Sequence, residues 1–149
     1  KLDSMIAAQR SHKARLQAAA AKIPGVKFRV QVDEPGDTAT FFSFILQDRE
    51  QRKAVQNILT KAGAPPICWA DNTCHFYPKW EHLMAGASLA RNGWPFAEPG
   101  GRKRIVYDPA VLPQSAELLD RTLVYQVPVK MSEQRLSEME TALLKGAEV

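Results

Sequence analysis

Cysteine is scarce in this sequence, and long apolar runs are missing. The 149 residues include two cysteines, too few for the multi-bridge framework of a small secreted domain. No stretch of about 18 apolar residues occurs, so no transmembrane helix is predicted. The first residues also lack the apolar core of a signal peptide. We therefore expect a cytoplasmic protein with no membrane partner.

The excess of positive over negative charge is also small. Lysine and arginine number 20 and the acidic residues 16, for a net charge of +4. This balance suits anionic small molecules and does not require nucleic acid. Hydrophobic residues make up 45% of the chain, as in ordinary soluble globular domains. We expect one domain over residues 1–149, with a core that needs no disulfide or metal.

Three segments carry helix signals. Residues 2–22 lack glycine and proline and are rich in helix formers. Asp48 is placed to cap a second helix with Gln51 at its third position, and Gly63 supplies its end. Ser132 caps a third helix that ends before Gly146. The expected buried positions on these helices are Leu2, Ile6, Leu16, Ala20, Val55, Ile58, Leu59, Leu136, Met139, Leu143 and Leu144.

Strand signals lie between these helices. Residues 27–32 alternate, which predicts a strand with Phe28, Val30 and Val32 on its buried face. Residues 41–46 are apolar on both faces, which predicts a central strand paired antiparallel with the first. Further strands are predicted at 67–69 and 123–129, and shorter helices at 79–90 and 115–121. The order predicts an α+β fold, with helices covering a small, mostly antiparallel sheet.

Residues 68–82 hold the densest set of reactive side chains. Cys68, Cys74, His75 and His82 total four possible zinc ligands. The five residues between the cysteines exceed the about two to four of structural zinc sites, however. A Cys–His nucleophile pair would need an orienting third residue, which the sequence does not identify. The simpler expectation is that Cys68 is a core residue and Cys74 a loop thiol.

Aromatic residues in the same segment favour a ligand pocket. Trp69, Phe76, Tyr77 and Trp80 lie close to Asn72 and His75. Apolar walls with a few convergent polar groups are typical of small-molecule sites. The alternative is that these rings only cover the core.

A second candidate anion site follows two glycines. Gly100 and Gly101 precede Arg102, Lys103 and Arg104. Arginine matches carboxylate or phosphate with two parallel hydrogen bonds, and glycine lets the backbone approach closely. No phosphate-binding loop motif is present, and a solvated loop is the simpler alternative.

Several segments together resemble the C-terminal part of one enzyme family. The stretches that carry the resemblance are 1–10, 23–25, 40–44, 69–83, 112–115 and 121–122. On these stretches the chain is similar to the DegT/DnrJ/EryC1/StrS aminotransferases, and its aromatic segment resembles the branch that contains 8-amino-3,8-dideoxyoctulosonate transaminase. Thr73 and Cys74 depart from that branch, where asparagine and tryptophan are usual.

The resemblance implies the small domain of a fold-type I, pyridoxal-phosphate-dependent aminotransferase. It would transfer an amino group from a donor such as glutamate to a keto sugar, as a homodimer when complete. The resemblance places the lysine and the cofactor contacts in a preceding large domain, so this chain alone is expected to be inactive and to hold no catalytic residue. Carried over by position, the expected substrate contacts are Trp69, Asn72, His75 and Tyr77. Arg102 and Arg104 are added as candidate contacts to a sugar acid or phosphate.

A different class of function also fits the sequence. A free-standing α+β module could use the aromatic segment and the basic cluster at 102–104 to bind an anionic ligand or single-stranded nucleic acid. The aromatics cluster in one segment and do not spread along a strand, which counts against an RNA-reading sheet. A nucleic-acid partner is therefore not our leading expectation.

Overall fold

The computed structural model describes residues 1–97 and 106–149. They fall into two compact units, one made of Lys1–Cys68 with Asp120–Val149 and the other of Trp69–Leu119. The described elements, in chain order, are α1 (Leu2–Ala20), β1 (Lys27–Phe28), β2 (Phe41–Ile45), α2 (Arg49–Lys61), α3 (Glu81–Met84), α4 (Pro113–Asp120), β3 (Thr122–Gln126) and α5 (Glu133–Lys145). The predicted α+β class is confirmed.

The sheet of the first unit has the order β1-β2-β3, and both pairings are antiparallel. The prediction that β2 is the central strand is therefore correct. Phe42 and Phe44 are buried on one face of β2. Their rings stack 5.7 Å apart, and each lies within 6.3 Å of the Tyr125 ring on β3. Burial raises the pKa of the Tyr125 hydroxyl, which donates to the Ala64 carbonyl.

Helices α1, α2 and α5 complete this core. Helix α1 packs along α5 and against β2, while α2 contacts α5 and β3. The predicted apolar positions of α2 and α5 largely face the core. In α1 the prediction holds only for its second half, because Leu16 and Ala20 are buried whereas Leu2 is exposed. Arg15 helps to hold α1 against α5, because its guanidinium donates hydrogen bonds to Glu140 and Glu133 of α5 at 2.6–2.9 Å.

Four predicted elements differ from the observed ones. The first strand stops at Phe28, and Val30 and Val32 are exposed and not buried. The strand predicted at 67–69 is wrong: Ile67 forms one isolated bridge with Val124, and a 3₁₀ turn begins at Trp69. Pro65 and Pro66 precede that bridge and have no N–H to add to a ladder.

The other two differences concern lengths. The strand predicted at 123–129 ends at Gln126, and the chain then continues through Pro128. The helix predicted at 79–90 is reduced to α3, because Gly86 takes a φ of +59° after it. Glycine adopts that left-handed conformation readily and ends helices there. None of the helices in the described ranges has the length and apolar character needed to span a membrane.

Candidate functional site

The aromatic segment belongs to the second unit and is built from short turns. A 3₁₀ turn at Trp69–Asp71 is followed by a tight turn, a second 3₁₀ turn at Tyr77–Lys79 and then α3. The segment therefore exposes side chains in several directions. Spacing along the sequence does not show which of them share a surface.

Asn72 shapes the first part of this segment. Its Oδ1 accepts hydrogen bonds from the backbone N–H of Cys74 at 2.7 Å and of His75 at 2.8 Å. An asparagine that accepts from the backbone two residues on forms a side-chain turn, which explains why the chain reverses here. The side-chain oxygen of Asn72 is thus engaged within the segment. Its predicted contact with a substrate hydroxyl stays a prediction.

Trp80 also holds this turn in place through a side-chain hydrogen bond. Its indole Nε1 donates to the Cys74 carbonyl at 3.0 Å, so the two backbone polar groups of Cys74 are held by Asn72 and Trp80. The Trp80 ring also contacts Tyr77 edge to face, with centroids 5.9 Å apart. These contacts fix the orientation of the indole ring.

Trp69 and His75 form a second ring pair. Their centroids are 5.0 Å apart and the rings are nearly perpendicular. The structure therefore brings Trp69, Asn72 and His75 into contact with one another, whereas the fourth predicted contact, Tyr77, contacts Trp80. Whether they touch a substrate stays a prediction.

A cleft of about 670 Å³ opens beside Trp80. This volume lies within the range of about 300–1,000 Å³ that is usual for small-molecule sites. Its lining residues are Thr73, Cys74, Lys79, Trp80, Glu81, His82 and Leu83. The four predicted contacts are not among them. Asn72 and Tyr77 contact the lining residues Cys74 and Trp80, whereas Trp69 and His75 pair with each other.

His82 also borders a second, more apolar cleft of about 630 Å³. Ser88, Leu89, Trp94 and Phe96 line it together with neighbouring residues. The sequence singled out His82 only as a possible metal ligand and did not identify Lys79, Glu81 or Leu83. The signal for these residues is their position next to Trp80 at the start of α3.

The positions of the two cysteines confirm the simpler expectation of one core residue and one loop thiol. Cys68 is buried and Cys74 is exposed on the cleft, and both are free thiols. Within residues 1–97 and 106–149, no three histidine, cysteine or acidic side chains converge as a metal site would require. Arg102, Lys103 and Arg104 fall outside the described residues.

The described lysines do not suit pyridoxal phosphate. Lys13 and Lys79 are the two half-buried lysines in the described part of the chain. Lys13 forms an ion pair with Asp37. Lys79 lies on the rim of an open cleft, whereas a lysine that binds the cofactor covalently needs a pocket that orients it. No cofactor contact is therefore assigned to these residues.

A comparison with models of known protein families finds no match to this chain.

Proposed function

We propose that this chain is the substrate-closing domain of a pyridoxal-phosphate-dependent aminotransferase that acts on a keto sugar. The observation that carries the proposal is the Trp80 cleft, in which one rigid aromatic wall is surrounded by polar and charged side chains. A sugar presents an apolar C–H face and a rim of hydroxyls, so it needs both kinds of surface. The cofactor is held by polypeptide other than the residues described above.

The Trp80 indole supplies the apolar wall. Its hydrogen bond to Cys74 and its contact with Tyr77 hold the ring before any ligand arrives. A pre-oriented group loses little conformational entropy on binding, so more of its contact energy contributes to affinity. Trp80 is therefore the residue that we expect to contribute most to substrate affinity in this chain.

Polar side chains around the ring supply the hydrogen bonds. Thr73 and His82 can donate to or accept from hydroxyls, and the carboxylate of Glu81 accepts from them. Lys79 adds a positive charge that suits the carboxylate of a sugar acid. The chain's part in the reaction is thus to bind the sugar, to orient its carbonyl and to exclude water.

The test uses the longer protein that contains this chain, assayed with glutamate and a panel of keto sugars. Replacing Trp80 by Ala should raise the KM for the sugar about 10- to 100-fold, which corresponds to roughly 1–3 kcal/mol. The KM for glutamate in its separate half-reaction should change little. Phe41→Ala removes a 40%-exposed aromatic ring on β2 that lines neither this cleft nor the second one, and it serves as the matched control.

Three outcomes would contradict the proposal. One is an unchanged sugar KM in the Trp80→Ala protein. Another is transamination by the isolated chain with added pyridoxal phosphate, which would place the chemistry in these residues. The third is salt-dependent binding of the chain to a generic oligonucleotide without transamination by the longer protein, as expected of the binding-module alternative. His75→Ala in the same assay tests whether His75 belongs to the site.

A further inference from the structure

The segment that follows β1 presents its apolar side chains to solvent. Val30 is 82% exposed and Val32 is 99% exposed. In the sequence these valines alternate with polar residues, as in a strand with one buried face. Exposed apolar residues that stand singly are usual on protein surfaces, whereas apolar residues that share a face can form part of an interaction surface.

Contacts within the unit explain why the valines point outward. The Arg29 guanidinium carbon lies 5.2 Å from the centre of the Phe41 ring. Gln31 Oε1 accepts from Arg29 at 3.1 Å, and Gln31 Nε2 donates to Asp37 Oδ2 at 2.8 Å. The polar face of the segment is therefore bound to its own molecule, which leaves Val30 and Val32 on the opposite face.

The backbone of this segment is also available for pairing. β1 is an edge strand, and its ladder with β2 covers only Lys27 and Phe28. The main-chain groups of residues 30–32 form no hydrogen bond within the part of the chain that the structure describes. An edge with unpaired N–H and C=O groups is a template for an added strand.

We propose that a second copy of this chain pairs with residues 27–33, antiparallel, about a twofold axis at Val30. This register places Val30 opposite Val30 and Phe28 opposite Val32. It also places Lys27 of each copy opposite Asp33 of the other. Opposite charges directly across a strand pair stabilise it, and like charges destabilise it.

Neighbouring registers are less favourable. An axis at Phe28 would set Lys27 opposite Arg29, which are like charges. An axis at Gln31 would set Val30 opposite Val32 and Arg29 opposite Asp33, but it would also set Phe28 opposite Glu34, an apolar ring against a charge. Among the three, the axis at Val30 alone gives residues 27–33 no like-charge pair and no apolar residue opposite a charged one. This self-complementarity selects a second copy as the occupant, and the proposal does not depend on the proposed function.

The pairing straightens the chain at Val32, where it bends in the single molecule. A ladder of seven residues also buries less surface than the about 1,600 Å² of a stable protein interface. We therefore expect association that depends on concentration and not a permanent dimer.

The first test is sedimentation velocity of the chain over a series of concentrations. The unmodified chain should shift from monomer to dimer as concentration rises. Val30→Asp should weaken the association more than tenfold, because two carboxylates then face each other across the axis. Val106→Asp changes a valine of similar exposure (80%) in the other unit and should associate like the unmodified chain. A monomer at every concentration, or equal association of the two variants, would overturn the proposal.

A charge exchange tests the register itself. Lys27→Asp and Asp33→Lys each place like charges opposite each other in a homodimer, so each variant alone should stay monomeric. A mixture of the two should associate, because every opposing pair is then one acid and one base. Failure of the mixture to associate would overturn this register.

Folding of the exchange variants needs its own control. Asp33 Oδ1 accepts from the Gly36 N–H at 3.0 Å, and Asp33→Lys removes that bond. Asp33→Asn keeps the acceptor and loses only the charge. It should weaken self-association of an otherwise unmodified chain, and unchanged association of this variant would also contradict the proposal.

Discussion

Arg52 is the most buried charged residue among those described, with 4% of its surface exposed. It lies on α2 and donates to Asp120 through two groups, Nε to the backbone carbonyl at 2.7 Å and Nη2 to the carboxylate at 2.8 Å. Its Nη1 donates to Gln56 at 2.7 Å. A buried guanidinium is stable only when its hydrogen bonds and its charge are satisfied. The sequence held a signal for this burial, because Arg52 precedes Val55 and Leu59 on the apolar stripe of α2.

Removal of the Asp120 carboxylate should therefore destabilise the first unit strongly. In Asp120→Ala the buried guanidinium of Arg52 loses the carboxylate that its Nη2 contacts at 2.8 Å, and we expect the free energy of unfolding to fall by about 3 kcal/mol. Urea denaturation followed by circular dichroism measures this change.

A matched control for that measurement is the exposed pair of Glu50 and Lys53, 3.1 Å apart on α2. Exposed pairs of this kind contribute about 0.5 kcal/mol or less, so Glu50→Ala should leave the unfolding free energy almost unchanged. Equal losses in the two variants would show that the burial of Arg52 adds nothing.

At the scale of the element, the start of α2 shows what local sequence determines. Asp48 has an extended backbone and its Oδ1 accepts from the Gln51 N–H at 2.8 Å. Gln51 Oε1 reaches back to the Gln47 N–H at 2.9 Å. At the other end Gly63 takes a φ of +71°. All these contacts lie within four residues along the chain, so the sequence was sufficient to predict both boundaries.

The cap of α2 should make a measurable contribution to stability. Asp48→Ala leaves the Gln51 N–H without its acceptor, and we expect a loss of about 1 kcal/mol in unfolding free energy. Asp48→Ser retains a side-chain oxygen at the cap and should lie within a few tenths of a kcal/mol of the unmodified chain. Urea midpoints of the three proteins give the comparison, and a serine variant as weak as the alanine variant would argue against the cap.

The lengths of the strands depend on contacts that the sequence pattern does not identify. β2 was predicted as central because it is apolar on both faces, and pairing with β3 over five residues confirms this. The alternation of residues 27–32 predicted only which side chains share a face. Hydrogen bonding of Gln31 to Asp37 and stacking of Arg29 on Phe41 decide that the chain leaves β2 after Phe28. Contacts between side chains six and twelve residues apart are not encoded in a period-two pattern.

At the scale of the molecule, composition singled out residues 69–82 as the candidate segment, and the structure places a cleft beside Trp80 within it. That these residues bind a substrate stays a prediction. Composition did not separate the cleft-lining Trp80 and His82 from Asn72 and His75, because two 3₁₀ turns set the direction of each side chain. Turns of this kind break the regular periods on which sequence analysis relies.

Ion pairs attach α1 to the rest of the first unit. A hydrogen bond from Lys13, opposed in part by burial, holds the pKa of Asp37 below its ordinary value. Arg15 lowers the pKa of Glu140 on α5 in the same way. Arg10 adds hydrogen bonds to the carbonyls of Asp37 and Pro35. Helix α1 is thus held by charge as well as by its buried second half.

Asp120 is a third carboxylate with a lowered pKa. Burial alone would raise its pKa, but hydrogen bonds and charge attraction from Arg49 and Arg52 outweigh burial. In all three cases the folded state favours the ionised carboxylate more than the unfolded state does. The unfolded chain therefore takes up protons first as the pH falls.

This difference predicts acid sensitivity with a defined sign. Stability from these carboxylates is fully present above their unfolded pKa values of about 4 and is lost as the pH falls through their lower folded values. We expect unfolding free energy to be nearly level between about pH 7 and 5 and to fall steeply below about pH 4. Asp37→Asn and Glu140→Gln should each be less stable at pH 7 and each lose less stability on acidification, because one linked proton is removed. Urea midpoints at a series of pH values measure the slope. An unchanged slope in both variants would mean that other carboxylates cause the acid response.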